Sequence, residues 1–183
     1  VVFVYLLPFR FYTISSIPHM GQMKSLERLM HEPSIYKEES DVKEGVAVNF
    51  NFSPPQAMMG ESVKLDFFVN KKPGNVPLPA SELQIQHEKI MHVIGVRKDL
   101  TEFSHIHPIA ADSNSAILNA DQIFKKAGEY KFWSEIKYER KNYAFGHPPF
   151  NIAGTDTTLE FNKEVTKSKI VSNYQVSVSY DHL

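Results

Sequence analysis

From Val46 onward the chain alternates apolar and polar residues with a period of two. No other feature limits its fold as much, because successive side chains leave a strand on opposite faces and alternation therefore builds half-buried strands. VAVNFNF puts Val46, Val48, Phe50 and Phe52 on one face, and ESVKLDFFV does the same with Val63, Leu65, Phe67 and Val69. Pro54-Pro55 and Gly60 separate these segments, and Lys72-Pro73-Gly74-Asn75 is turn chemistry after the second. LQIQH, MHVIGV, SAILNADQIF and GEYKFWSEIKYE follow as strand candidates, the last with Tyr130, Phe132, Ile136 and Tyr138 on one face. TTLEF at 157–161 reads as the closing strand. About eight short strands at this spacing predict an all-β, antiparallel β-sandwich.

A chain of 183 residues, 42% apolar and 12% aromatic, can bury one core of ordinary size. The sandwich is expected over 44–162. Residues 1–43 read as a leader or linker. VVFVYLL is too short to cross a bilayer and reads either as the remnant of an export signal or as sequence upstream of a start at Met20 or Met23. KSLERLMHE has the pattern of one or two helical turns, and Pro18-His19-Met20-Gly21-Gln22-Met23 holds soft donors on what reads as an unconstrained tail. Residues 163–183 read as a polar connector followed by NYQVSVSY, taken either as the first strand of a truncated second β-domain or as a strand returning to the first sheet.

A formal net charge of −1 supplies no basic field for nucleic acid, and no transmembrane span is expected. With no cysteine there is no disulfide, thiolate ligand or cysteine nucleophile. The eight histidines carry more information, because imidazole binds copper and zinc and titrates near neutral pH.

They concentrate in MHVIGVRKDLTEFSHIHP, which reads as strand, turn and strand with the bend at Lys98–Thr101. If His92 pairs with His107, then His92, Ile94 and Val96 share a face with Phe103, His105 and His107, and three imidazoles crowd one end of it. A register slipped by one residue brings Met91 to that face in place of His92. His105 and His107 stay together in either case. His87 and His147 are the candidates to complete the ligand set, Met58 and Met59 read as gap fillers, and Trp133 reads as packing.

The segment HEKIMHVIGVRKDLTEFSHIHP, followed by AGEYKFW, resembles the small bacterial β-sandwich proteins labelled YtkA-like or heavy-metal-binding-like. The likeness covers 87–138 closely and the strands from Val46 onward loosely. It implies an immunoglobulin-like (cupredoxin-like) fold, an extracytoplasmic setting in the periplasm or cell envelope, and a metal-related role. By the same resemblance His87, Met91, His92, His105 and His107 occupy the motif's His and Met positions, while Asp99, Phe103 and Pro108 are framework. The insertion ERKNYAFGHPPFNIAG departs from the pattern.

Two functions follow as expectations. One is a metal-binding module that holds copper, with zinc as the alternative, through His105, His107, His92, His87 and Met91, and that meets another envelope protein. The other is a structural or interaction domain whose histidines pack and hydrogen-bond. An enzyme is not expected, since no general-base carboxylate stands at a telling spacing and Glu102, the nearest, reads as solvent-facing.

Overall fold

The computed structural model describes residues 34–155, 168–171 and 174–177. The first stretch holds β1 (Ile35–Glu38), β2 (Gly45–Ser53), β3 (Ser62–Lys72), β4 (Val76–Pro77), β5 (Met91–Arg97) and β6 (Phe103–Ile106). It continues with β7 (Ile109–Ala110), β8 (Ile117–Ile123), β9 (Gly128–Tyr138), β10 (Lys141–Gly146) and β11 (Phe150–Ile152). One sheet runs β1-β10-β9-β5-β6 with β11 also paired to β9, and the other runs β2-β3-β8-β7 with β4 paired to β3. Every pairing is antiparallel except that of β1 with β10. The orders β2-β3-β8-β7 and β6-β5-β9-β10 are those of strands A-B-E-D and C′-C-F-G in an immunoglobulin-type sandwich. No helix among the described residues is long and apolar enough to cross a membrane.

The alternation decides which side chains meet between the sheets. Val46, Val48, Val63, Leu65, Phe67 and Val69 are buried on one side, and Val93, Tyr130, Phe132, Ile136 and Phe145 on the other. Phe50 lies at the centre of an aromatic group, with ring centroids 5.1 Å from Phe67, 5.3 Å from Phe150 and 5.5 Å from Phe132. Each fully buried phenylalanine contributes about 1.5–3 kcal/mol. Met59 packs against this core as a gap filler, whereas Met58 is exposed.

Several elements differ from the sequence reading. The end of the expected linker supplies β1, which lies parallel to β10. LQIQH is not a strand: among the described residues Gln84 makes one isolated bridge to Lys137, and Gln86 turns back onto Lys89. The insertion forms β10 and β11. Its entry turn, Glu139-Arg140, has positive φ at both residues (48° and 64°) without the glycine or asparagine that usually marks such a turn. The leader, the KSLERLMHE turns, the Pro18–Met23 donors and TTLEF lie outside the described residues. In a separate unit, β12 (Ser168–Val171), within the expected connector, pairs with β13 (Tyr174–Ser177), within the expected strand NYQVSVSY, in an antiparallel hairpin.

A buried polar chain ties the β1–β2 connection to the sandwich. His147 is 0% exposed. Its Nδ1 donates to Glu39 Oε2 at 2.7 Å, and in the neutral ring its Nε2 accepts from Ser134 Oγ at 2.9 Å. Glu39 also accepts from Asn49 Nδ2 (2.9 Å) and the Phe50 amide (3.1 Å). Burial alone would raise the Glu39 pKa, but the bonds from His147 and Asn49 outweigh it and hold the carboxyl below its ordinary value.

Replacing Glu39 by Ala strands three donors, at about 1–3 kcal/mol for a buried group left unpaired. We expect Glu39→Ala to lower unfolding free energy by about 2–4 kcal/mol at pH 7 in urea titrations. Because the folded pKa is depressed, the Glu39 contribution is present above the unfolded glutamate pKa of about 4.3 and is lost as pH falls through the folded value. The gap between wild type and variant should therefore narrow with acidification. A gap independent of pH would contradict the assignment.

Candidate metal centre

The site is built on the β5–β6 hairpin. Val93 pairs with Ile106, Ile94 with His105, Gly95 with Ser104 and Val96 with Phe103. One step further along the same register His92 faces His107, so the three imidazoles share the outer face of the sheet. The inner face belongs to the core. Gly95 is required there, because a Cβ at this position would lie 2.0 Å from Cε1 of Phe132.

The register is held by the turn. Arg97, 2% exposed, donates from Nε to the Ala127 carbonyl (2.8 Å) and from Nη1 to Asp99 Oδ2 (2.7 Å) and Thr101 Oγ1 (3.0 Å). Asp99 accepts further from the Thr101 amide and hydroxyl. Burial works to raise the Asp99 pKa, but the Thr101 bonds and the Arg97 charge keep it below the ordinary value.

One nitrogen from each of His92, His105 and His107 lies within 4.8 Å of the others. Ring centroids are 4.7 Å apart for His105 and His107, 4.8 Å for His92 and His107, and 5.7 Å for His92 and His105. His92 Nε2 stands 2.8 Å from the Gln86 carbonyl, and its Nδ1 is 3.4 Å from His105 Nε2. A carbonyl can only accept, so Nε2 carries the proton and Nδ1 presents its lone pair toward His105. Metal–nitrogen bonds of about 2.0–2.1 Å give a tetrahedral edge of about 3.3–3.4 Å and an upper limit of about 4.2 Å between two ligating nitrogens. The His92–His105 spacing fits the tetrahedral edge. A spacing at the 4.8 Å bound of the set would have to close by about 0.6 Å to reach the upper limit and by about 1.4 Å to reach the tetrahedral edge.

The other sequence candidates stand apart. Met91 is 0% exposed and points into the core, because strand alternation sends it to the face opposite His92. It is therefore corrected from ligand to core residue. His87 lies at the rim with its centroid 6.0 Å from that of His92, outside the convergent set, and serves as a turn residue with φ of 47°. His147 is spent in the core. Glu102 pairs with Lys126 on the far end of the hairpin.

Three features escaped the sequence reading. The Gln86 carbonyl reaches His92 through a turn that begins where the sequence predicts the end of a strand. The β5–β9 register places Glu135 directly across from His92, with its carboxylate accepting from Ser34 Oγ. Ser134, His147 and Glu39 are hydrogen-bonded in series in the manner of nucleophile, base and orienting acid. That series is sealed, with Ser134 1% exposed and His147 packed against Phe50 and Phe67. The Glu135 contact and the buried series each depend on residues more than a hundred positions apart in the chain, Ser34 with Glu135 and Glu39 with His147, which no local pattern announces.

A family model described as a domain of unknown function (DUF8832) matches residues 40–167, more than half of the chain. No curated protein and no solved structure is significantly similar to the chain.

Two outcomes test this geometry. Partial burial, then the nearby His92, lowers the pKa of His105, and the same causes with His105 and Lys89 lower that of His107. The unfolded chain therefore binds more protons from about pH 6.5 down to the folded values, and stability should fall with pH through that window. Proton NMR of the metal-free protein should show both rings titrating below 6.5, and a His105→Gln/His107→Gln variant should flatten the stability profile there. At the turn, Asp99→Ala removes the buried carboxylate that accepts from Arg97 Nη1 and from the Thr101 amide and hydroxyl. We expect a loss of about 3–5 kcal/mol in denaturant unfolding, against which a loss under 1 kcal/mol would argue.

Proposed function

We propose that this chain, which belongs to the DUF8832 family, carries a module that binds a transition-metal ion, copper or zinc, through His92, His105 and His107. The observation behind this reading is convergence: three imidazole nitrogens within 4.8 Å of one another on one sheet face. Imidazole without thiolate suits Cu(II) and Zn(II) better than Cu(I). Copper is the first expectation from the sequence, but Cu(II) prefers tetragonal sites, and the 3.4 Å spacing of His92 Nδ1 and His105 Nε2 lies nearer a tetrahedral edge. Zinc therefore ranks at least equal. Three protein donors leave one position for water or for a ligand from a partner, as a site that hands on its ion requires. The extracytoplasmic setting and an envelope partner belong to this proposal on the sequence resemblance alone.

The second reading is a structural lock, and the two interactions made by His92, with Gln86 and His105, favour it. Here the rings stabilise the hairpin and no ion is needed.

Equilibrium dialysis of the full chain against Cu(II) and Zn(II), with metal analysis, separates the two. We expect one ion bound with Kd below about 10 μM (roughly −7 kcal/mol) and a loss of at least about 100-fold in His105→Ala/His107→Ala. Weaker binding, or affinity unchanged in the double variant, would sink the metal reading. A melting temperature indifferent to chelator yet lowered by His92→Ala without metal would support the lock.

A further inference from the structure

His92 is held by an unusual piece of backbone. Gln86 and Lys89 close a two-residue turn, with the Gln86 amide donating to the Lys89 carbonyl at 2.8 Å and the Lys89 amide donating to the Gln86 carbonyl at 3.0 Å. The residues between them, His87 and Glu88, have φ of 47° and 68°. Two successive positive φ values are the pattern of a type I′ turn, which favours Asn-Gly and penalises side chains by roughly 1–2 kcal/mol per residue. Neither position here is asparagine or glycine.

The geometry has one product that bears on the site. The Gln86 carbonyl, already accepting from Lys89, is presented 2.8 Å from His92 Nε2. Backbone carbonyls that take the distal N–H of a ligating histidine fix its tautomer and ring orientation, and losing such a partner weakens metal affinity by about 10–100-fold. We infer that the Gln86–Lys89 turn is the positioning element of the centre, committing His92 to bind its ion through Nδ1 while His105 binds through Nε2. This inference rests on the metal reading above and adds the coordination mode. His87, placed among the ligands by the sequence, acts instead as a residue of the turn that aims the carbonyl.

The test begins on the metal-free full chain, where long-range proton–nitrogen NMR reads the tautomer of each ring. His92 should carry its proton on Nε2; a dominant Nδ1–H form would overturn the inference. Zinc titration should then shift Nδ1 of His92 and Nε2 of His105. A His87→Asn/Glu88→Gly variant supplies the residues that this turn prefers, so it should keep the tautomer, hold zinc affinity within about threefold and raise the melting temperature. Lys89→Pro removes the amide that closes the turn and should weaken zinc binding by about 10–100-fold. Zinc held through Nε2 of His92, or binding lost in the Asn-Gly variant while it stays folded, overturns this inference and leaves the metal reading standing. No zinc bound to the wild-type chain removes both.

Discussion

The buried pair between Arg97 and Asp99 is the constraint on which the centre depends. It sits in the turn that joins β5 to β6, and a hairpin's register is set by its turn. With the turn held, Val93 faces Ile106 and the next pair outward is His92 and His107. A slip by one residue would send every side chain of β6 to the other face and separate His105 and His107 from His92. Arg97 also reaches the Ala127 carbonyl just before β9, so the same guanidinium ties the hairpin to its neighbour. A buried charge pair is a poor source of net stability. Here its value lies in specifying one register.

The two faces of this sheet use histidine in opposite ways. On the inner face His147 has both nitrogens committed, to Glu39 and Ser134, and is packed among phenylalanines. On the outer face His105 and His107 are exposed and lack a carboxylate partner among their described hydrogen bonds. Partial burial, then the neighbouring imidazoles, keeps them neutral to lower pH, the state in which imidazole serves as a ligand. Strand alternation makes the separation sharp: Ser134 and Glu135 are adjacent in sequence, yet one faces His147 and the other lies across from His92. The sheet keeps a satisfied polar core and a convergent surface trio one residue apart.

The turn before β5 has a related logic. Placing His87 and Glu88 at positive φ is locally unfavourable, and tertiary contacts must sustain it. A deviation from local preference that ends on a hydrogen bond to a candidate ligand is where strain is expected to have a use. The reading of LQIQH as a strand missed it because apolar–polar alternation is judged over a window, whereas this turn is defined by two dihedral angles and two hydrogen bonds.

The sequence by itself determined β2, β3, β5, β6, β8 and β9, their buried faces and the company of His105 with His107. All three follow from the period-2 pleat, which is a local property of the backbone. It narrowed the place of His92 to one of two registers without choosing between them. The folded chain made that choice, through the Arg97–Asp99 turn and the bond from Arg97 to the Ala127 carbonyl, and in doing so sent Met91 to the core. It also decided that Ile35–Glu38 joins a sheet, that His147 belongs to Glu39 and Ser134, and that the Gln86 carbonyl meets His92. Each of those rests on contacts between segments distant in the chain or on backbone angles that residue type does not declare.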